Sequence, residues 1–286
     1  MLTIVFDGVA YGMLLFVLGI GLCVTLGLMN FINLAHGAFA MAGGYLAIVM
    51  TNQWGISFFW GLPAAFFFAA ALGLLLERTL YVRLYDKSHL DQVLFSIGLV
   101  FMATAIVDYL MGANQQIVNL PPSLVGRVDF LGASIGVYRL FVIAICGLLT
   151  LALQLVLAKT RFGSRLRAAV DDGRVARGRG IDVGSIFALT FAVGSGLAGL
   201  GGALAGGIVS LDPTFPLKYM FYFLIVIAVG GTTTITGPFL ASLLLGLADV
   251  AGKYYVPALG GFIIYTLMVV VLILRPQGLF TRAPAR

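Results

Sequence analysis

The chain is predicted to fold as an all-α, polytopic transmembrane helical bundle with about eight to nine spans, some of them broken or short. Three observations predict this. Of the 286 residues, 61% are hydrophobic and only 10% charged, with a mean hydropathy of +1.08, so a soluble domain could not clothe itself in polar surface. Apolar runs of helical-span length recur along the whole chain. All Lys and Arg residues except Arg127, Arg139, Lys218 and Lys253 fall within residues 77–91, 159–182 and 275–286.

Residues 5–29 form the first candidate span. No basic segment precedes it and no small-residue cleavage site follows, so a retained span is expected and not a signal peptide. Residues 34–50, 58–76, 93–111 and 140–158 supply the next four. Residues 183–209, 219–235, 237–251 and 259–274 complete nine candidates, several of them short for a full crossing. The positive-inside rule places the three basic stretches in the cytoplasm and residues 112–137 outside. An outer N-terminus fits nine spans and an inner one fits eight. The net charge of +6 is thereby explained by orientation, and no nucleic-acid partner is expected. Cys23 and Cys146 both fall within spans, which favours neither a disulfide nor a metal site.

Two stretches interrupt the apolar pattern. Residues 27–45 contain Asn30, Asn33 and His36 at three-residue steps, followed by Gly37. On a helix these three polar groups share a face; unwound, they also expose backbone carbonyls. Either a conformational hinge clamped by hydrogen bonds or a lining for a transport pathway satisfies the pattern. The second stretch holds Gly230, Gly231, Thr232, Thr233, Gly237 and Pro238, where Gly and Pro loosen a helix and Thr hydroxyls can satisfy freed carbonyls. A tight turn between spans and a transport site both remain open. No second metal-ligand type lies near His36, so metal binding is not expected. Gly194, Gly196 and Gly199 match GxGxxG formally, but no strand precedes them, and small residues continue to Gly207 as in close helix packing. Asp108 and Asp249 are expected at membrane interfaces near Tyr109 and Tyr254, because a charge at the bilayer centre costs about 2.5 to 3.5 kcal/mol.

Residues 159–184 form the largest expected cytoplasmic connection. A helix over residues 164–172, capped by Ser164, would place Leu166, Ala169 and Val170 on one side as a small docking face. A solvated loop that only fixes topology is the alternative.

Four motifs here resemble a known family. Residues 33–45 (NLAHGAFAMAGGY), 167–181 (RAAVDDGRVARGRGI), 230–238 (GGTTTITGP) and 275–280 (RPQGLF) are similar to the permease subunits of bacterial ABC importers for branched-chain amino acids, LivH-type. The resemblance runs over about residues 11–280 and implies one permease domain spanning residues 1–286 in the bacterial inner membrane. It further implies a coupling helix that meets the ATPase subunits, drawn from Arg165, Leu166, Arg167, Ala168, Ala169, Asp171, Asp172, Ala176 and Gly180. Because Gly173 and Gly178 weaken a helix, that element is expected to end near Asp172, with residues 174–180 as a turn. Implied partners are the ABC ATPases carrying ATP-Mg, a second related permease subunit, an external substrate-binding protein and membrane lipid. No cofactor is expected on the chain itself.

An enzyme is disfavoured, since the chain has no GxxxxGK[ST], HExxH or GxSxG motif. A stand-alone secondary transporter ordinarily uses membrane carboxylates for coupling, and the single Glu, Glu77, is expected at the cytoplasmic edge. Relatives within the family also serve urea and short amides, leaving such a substrate as an alternative to leucine, isoleucine and valine.

Overall fold

The computed structural model describes residues 1–29, 31–85, 87–130, 132–231, 235–275 and 278–279. Asn30, Thr232 and Thr233 lie outside the described residues. Each of the nine candidate segments is helical: α1 (Leu2–Met29), α2 (His36–Ile48), α3 (Phe58–Thr79), α4 (His89–Met111), α5 (Val137–Lys159), α8 (Val183–Ala205), α9 (Phe215–Gly230), α10 (Thr236–Tyr255) and α11 (Gly260–Leu274). Between α5 and α8 lie two further helices, α6 (Arg161–Asp171) and α7 (Gly173–Gly178). A two-stranded antiparallel hairpin, β1 (Arg127–Phe130) and β2 (Ala133–Gly136), sits before α5.

Six of the helices, α1, α3, α4, α5, α8 and α11 with its preceding turn, are long and apolar enough to cross a bilayer. α9 has 16 residues and α2 has 13, the latter spanning about 20 Å. A π-helical turn over Val49–Gln53 extends α2. α10 has the length but carries Asp249 and Lys253 in its last two turns.

Polar contacts gather at two opposite ends of the bundle. At one, Arg139 pairs with Asp7, the Tyr255 hydroxyl donates to Met1 Sδ at 2.8 Å, and Asn52 Nδ2 donates to the Ile117 carbonyl at 2.9 Å. There too, Gln116 and Leu211 exchange backbone hydrogen bonds at 2.8 Å. At the other end lie the first two basic stretches and the start of the third, so the chain begins outside and the alternation of nine segments delivers Arg275 to the inner face.

α8 is the packing centre, making extensive pairings with α1, α2 and α3. Its glycines explain why. A Cβ on Gly202 would collide with the Ala40 carbonyl of α2, one on Gly199 would lie 2.7 Å from the Ala65 carbonyl of α3, and one on Gly201 would come within 3.0 Å of Leu18 on α1. The GxGxxG match is therefore packing: a Cβ on Gly194 would lie 3.1 Å from Gly21, and one on Gly196 would lie 2.8 Å from the Phe66 ring. Hydrocarbon gives apolar side chains no reason to leave lipid for one another, so dispersion contacts at short range carry helix association.

Asp249 lies near the outer end of α10, within two turns of Tyr254, but is turned into the bundle. It is 1% exposed, and its Oδ2 sits 2.5 Å from Lys253 Nζ one turn later on α10. Asp108 is exposed near the outer end of α4, as an interface position requires.

Gly202→Val should lower thermal stability of the solubilised protein by about 1 to 3 kcal/mol through overpacking. Gly98→Val on α4, where an added Cβ meets open space among the described residues, should leave it unchanged apart from a small propensity effect. Equal melting shifts in a fluorescence thermal scan would reject α8 as the packing centre.

Candidate functional site at the inner face

The second basic stretch folds as an elbow beneath the bundle. Thr160 makes the corner: its hydroxyl donates to the Val156 carbonyl of α5 and accepts from Gly163 N–H at 3.3 Å, closing one helix and opening the next. Gly163 lies so close to the Leu157 carbonyl that any side chain there would collide with it. Arg167 Nη1 donates to that same carbonyl. Helix α6 thus starts three residues before the expected Ser164 cap, and Ser164 bonds back to the Arg161 carbonyl from inside the helix. The Thr160 cap prevails because it serves both helices at once.

Residues 174–180, expected as a turn, contain α7 instead. The Asp172 carboxylate accepts from Arg174 N–H at 2.8 Å and Val175 N–H at 3.0 Å, and this double cap outweighs the helix-weakening glycines at each end. Gly180, with φ of 78°, then supplies the left-handed conformation that reverses the chain.

The apolar side of the elbow faces the protein. Leu166 and Ala169, expected on a docking face, and Ala176, expected in the coupling element, are buried, and Ala169 and Ala176 pack with Val183, Ile181 and Phe187. Helix α6 is strongly amphipathic, and burial of its apolar stripe anchors it against α8 and α1. Val170 and Ala168 are half-buried. Arg165, Arg167, Asp171, Asp172, Arg174, Arg177, Arg179 and Gly180 are exposed, which makes the outward surface polar and predominantly basic.

The first polar break rests on the same inner face. Asn33 Oδ1 accepts from Ala35 N–H at 3.2 Å, a local turn that starts α2, and from the Tyr81 hydroxyl at 2.9 Å. Ile32 N–H donates to Gln92 Oε1 at 3.2 Å, while Gln92 Nε2 donates to the Leu84 carbonyl at 3.2 Å. Asn33 and His36 are each 1% exposed. The His36 ring packs edge-on to Phe223, in space left by Gly21. A Cβ on Gly37 would lie 2.9 Å from Pro216 Cα. These residues form a hydrogen-bonded clamp between the α1–α2 link and the first basic loop.

Glu77 is buried beside this clamp, accepting from the Tyr85 hydroxyl at 2.8 Å. Burial, then the bond to Glu77, push the Tyr85 hydroxyl well above its ordinary pKa. Arg78 Nη2 donates to Ser185 Oγ at 3.4 Å, tying the loop to α8, whose N-cap is Asp182. The Ser185 hydroxyl and N–H hold the Asp182 carboxyl below its ordinary value of 3.8.

The second break also ends at the inner face. Gly231 closes α9 with φ of 82°, and a Cβ on Gly230 would lie 2.5 Å from Pro238. Leu279 N–H donates to the Val229 carbonyl at 2.8 Å, so the segment after α11 straps this turn. Gly237 is buried at the start of α10. Tyr81, Gln92 and Tyr85 escaped the sequence reading because their partners lie eight to sixty residues away; only Gln92, an amide in the first turn of a membrane helix, offered a signal.

A multi-pass helical bundle with a charged elbow mounted on its inner face defines a membrane transport subunit. The family model described as branched-chain amino acid transport system / permease component matches residues 4–272, and the chain belongs to that family. It is 27% identical to the high-affinity branched-chain amino acid transport system permease protein LivH of Escherichia coli K12, over 97% of this chain and 94% of that protein. It is 28% identical to LivM of the same organism, over 93% of this chain and 68% of that protein. The solved structure of PsaBC from Streptococcus pneumoniae in complex with Fab shares the fold at a TM-score of 0.55 and 13% identity, covering 99% of this chain and 91% of that chain.

Gln92→Leu should remove the acceptor for Ile32 N–H and speed hydrogen exchange in residues 31–35, with a stability loss of about 1 to 3 kcal/mol. Unaltered exchange there would break the clamp assignment. The depressed pKa of Asp182 means that its cap stabilises the folded chain at neutral pH. That contribution fades as pH falls below 3.8 through the folded value, so α8 N-terminal amides should lose protection only in that acid range.

Proposed function

We propose that this chain is the permease subunit of an ATP-driven importer that carries branched-chain or closely related amino acids inward by alternating access. The observation that carries this reading is the elbow of α6 and α7. Its Leu166, Ala169 and Ala176 are committed to the bundle while its basic and acidic residues, with Val175, are presented outward, the arrangement a lever needs if a separate engine is to move it.

The engine is a pair of ABC ATPase subunits holding ATP-Mg; the chain binds no nucleotide itself, and its sequence has no GxxxxGK[ST]. Arg165, Arg174 and the exposed parts of residues 171–180 meet those subunits. Leu166, Ala169 and Ala176 pass the motion to α8 and α1. Residues 1–286 act as one permease domain, paired with a second related permease. The similarity of this chain to both LivH and LivM, two permease proteins named for one kind of transport system, supports that pairing. A substrate-binding protein delivers cargo at residues 112–137 and 210–218, which the outer hydrogen bonds join into one surface. The clamp at Asn33 and the turn at Gly230 and Gly231 flex as the inner face opens.

Two experiments test this. Arg165→Glu combined with Arg174→Glu should reduce ATPase co-purification at least about tenfold, the scale of one or two lost charge-assisted contacts, while membrane insertion stays normal. Arg167 is left unaltered because it holds the end of α5. Normal association and uptake would detach the elbow from the engine. In proteoliposomes, leucine uptake should require ATP and the ATPase subunits; accumulation driven by a proton or sodium gradient alone would overturn the importer reading.

A further inference from the structure

The outer ends of α1, α9, α10 and α11 enclose polar chemistry that the inner face does not use. A groove of about 460 Å³ is lined by Leu217, Lys218, Tyr219, Phe221, Tyr222 and Tyr265. Tyr219 stacks on Phe215 with ring centroids 4.3 Å apart, and Tyr222 packs between Tyr219 at 5.5 Å and Tyr265 at 6.3 Å, so the aromatic wall is continuous. Lys218 Nζ lies 2.5 Å from Asp212 Oδ2, at the groove's outer lip. An ammonium has three donors, so this pairing leaves others for an incoming carboxylate.

Asp249 is buried in the bundle on α10, which packs against the helix α9 that carries Tyr219 and Tyr222, and does not itself line the groove. Its Oδ2 is paired with Lys253, whose ammonium lies 5.7 Å from the Tyr11 ring centroid. Its Oδ1 is buried with no hydrogen-bond partner among the described residues. A buried carboxylate oxygen left unpaired is a strong demand for a donor, and here that demand arises beside a wall of aromatic faces.

We propose that this groove is a binding site for a free aliphatic α-amino acid on its way through the permease. The proposal rests on the importer reading above. The cargo carboxylate is held by Lys218. The α-ammonium lies over the faces of Tyr219 and Tyr222, drawn by ring quadrupoles and by the unpaired oxygen of Asp249. The aliphatic side chain lies against Leu217 and Phe221. The volume suits a small molecule of this kind. Lys218 and Asp249 are each paired once within the chain and keep capacity for both charges of a zwitterion, capacity that urea or a neutral amide would not use. The apolar end offers little to a charged side chain.

The test uses the complete importer, with its ATPases and binding protein, and a photoactivatable diazirine analogue of leucine. Peptide mapping should find label on residues 217–222 and Tyr265, displaced by excess leucine. Lys218→Gln and Tyr222→Leu should each lower that displaceable label and leucine uptake by about tenfold, the loss expected for one charge-assisted contact, with ATPase subunits still bound. Asp249→Asn should do the same; should it fail to assemble, the other two variants decide. Wild-type uptake in both surface variants would overturn the site. So would groove labelling that leucine does not displace but added phospholipid does, which would make the groove a lipid contact. Leucine uptake by the unmodified complex tests the importer reading separately, so a complex that accumulates leucine while its groove stays unlabelled rejects only the site.

Discussion

The approach of backbone to backbone around α8 is the constraint on which the rest of the bundle depends. Gly194, Gly196, Gly199, Gly201 and Gly202 bring α1, α2 and α3 to distances at which a single added carbon would collide with main-chain or side-chain atoms. In lipid, such proximity replaces the hydrophobic effect as the source of cohesion, because dispersion falls steeply with separation. It also fixes the polar residues. Helix α2 can be short because α8 and α3 cover it, and the link before it can be irregular because Tyr81 and Gln92 satisfy its polar atoms.

Much of the architecture was legible in the sequence for local reasons. Apolar length marked all nine helical segments, and the position of basic residues marked the inner face, because both signals are integrated over many residues. The small-residue run at 194–207 announced close packing by its spacing alone. Other features depended on long-range partners or on competition between local ones. Ser164 looked like a helix cap until Thr160 proved able to serve two helices; Asp172 converted an expected turn into α7 by accepting two backbone N–H groups. The place of Asp249 near a helix end was visible in its distance from a chain turn, whereas its burial within the bundle was not. The docking face was inverted for a similar reason: amphipathicity shows that Leu166 and Ala169 share a side, but not whether that side seeks a partner or the chain's own α8.

The two polar breaks share a location that neither motif disclosed. Asn33 is held by the first basic loop, and the turn after Gly230 is strapped by the segment that follows α11. Both lie at the end of the bundle where the elbow is mounted, so the two polar breaks come together near the inner surface. The outer end is held differently, by ion pairs at Asp7, Asp212 and Asp249 and by the Gln116–Leu211 bridge. Hydrogen-bonded polar breaks at one end and charge pairs at the other give the two faces distinct chemistry within a single packed body.

The corner at Gly163 fixes how α5 and α6 meet on the inner surface. With no side chain between α6 and the Leu157 carbonyl, and with Thr160 and Arg167 bonded across the junction, α5 and α6 are joined like the two arms of a bell crank. At the far end of the elbow, at Gly180, the backbone reverses without side-chain obstruction. In the coupling proposed above, torque applied below the membrane would therefore reach α5 through this corner, and α8 and α1 through the buried face of α6.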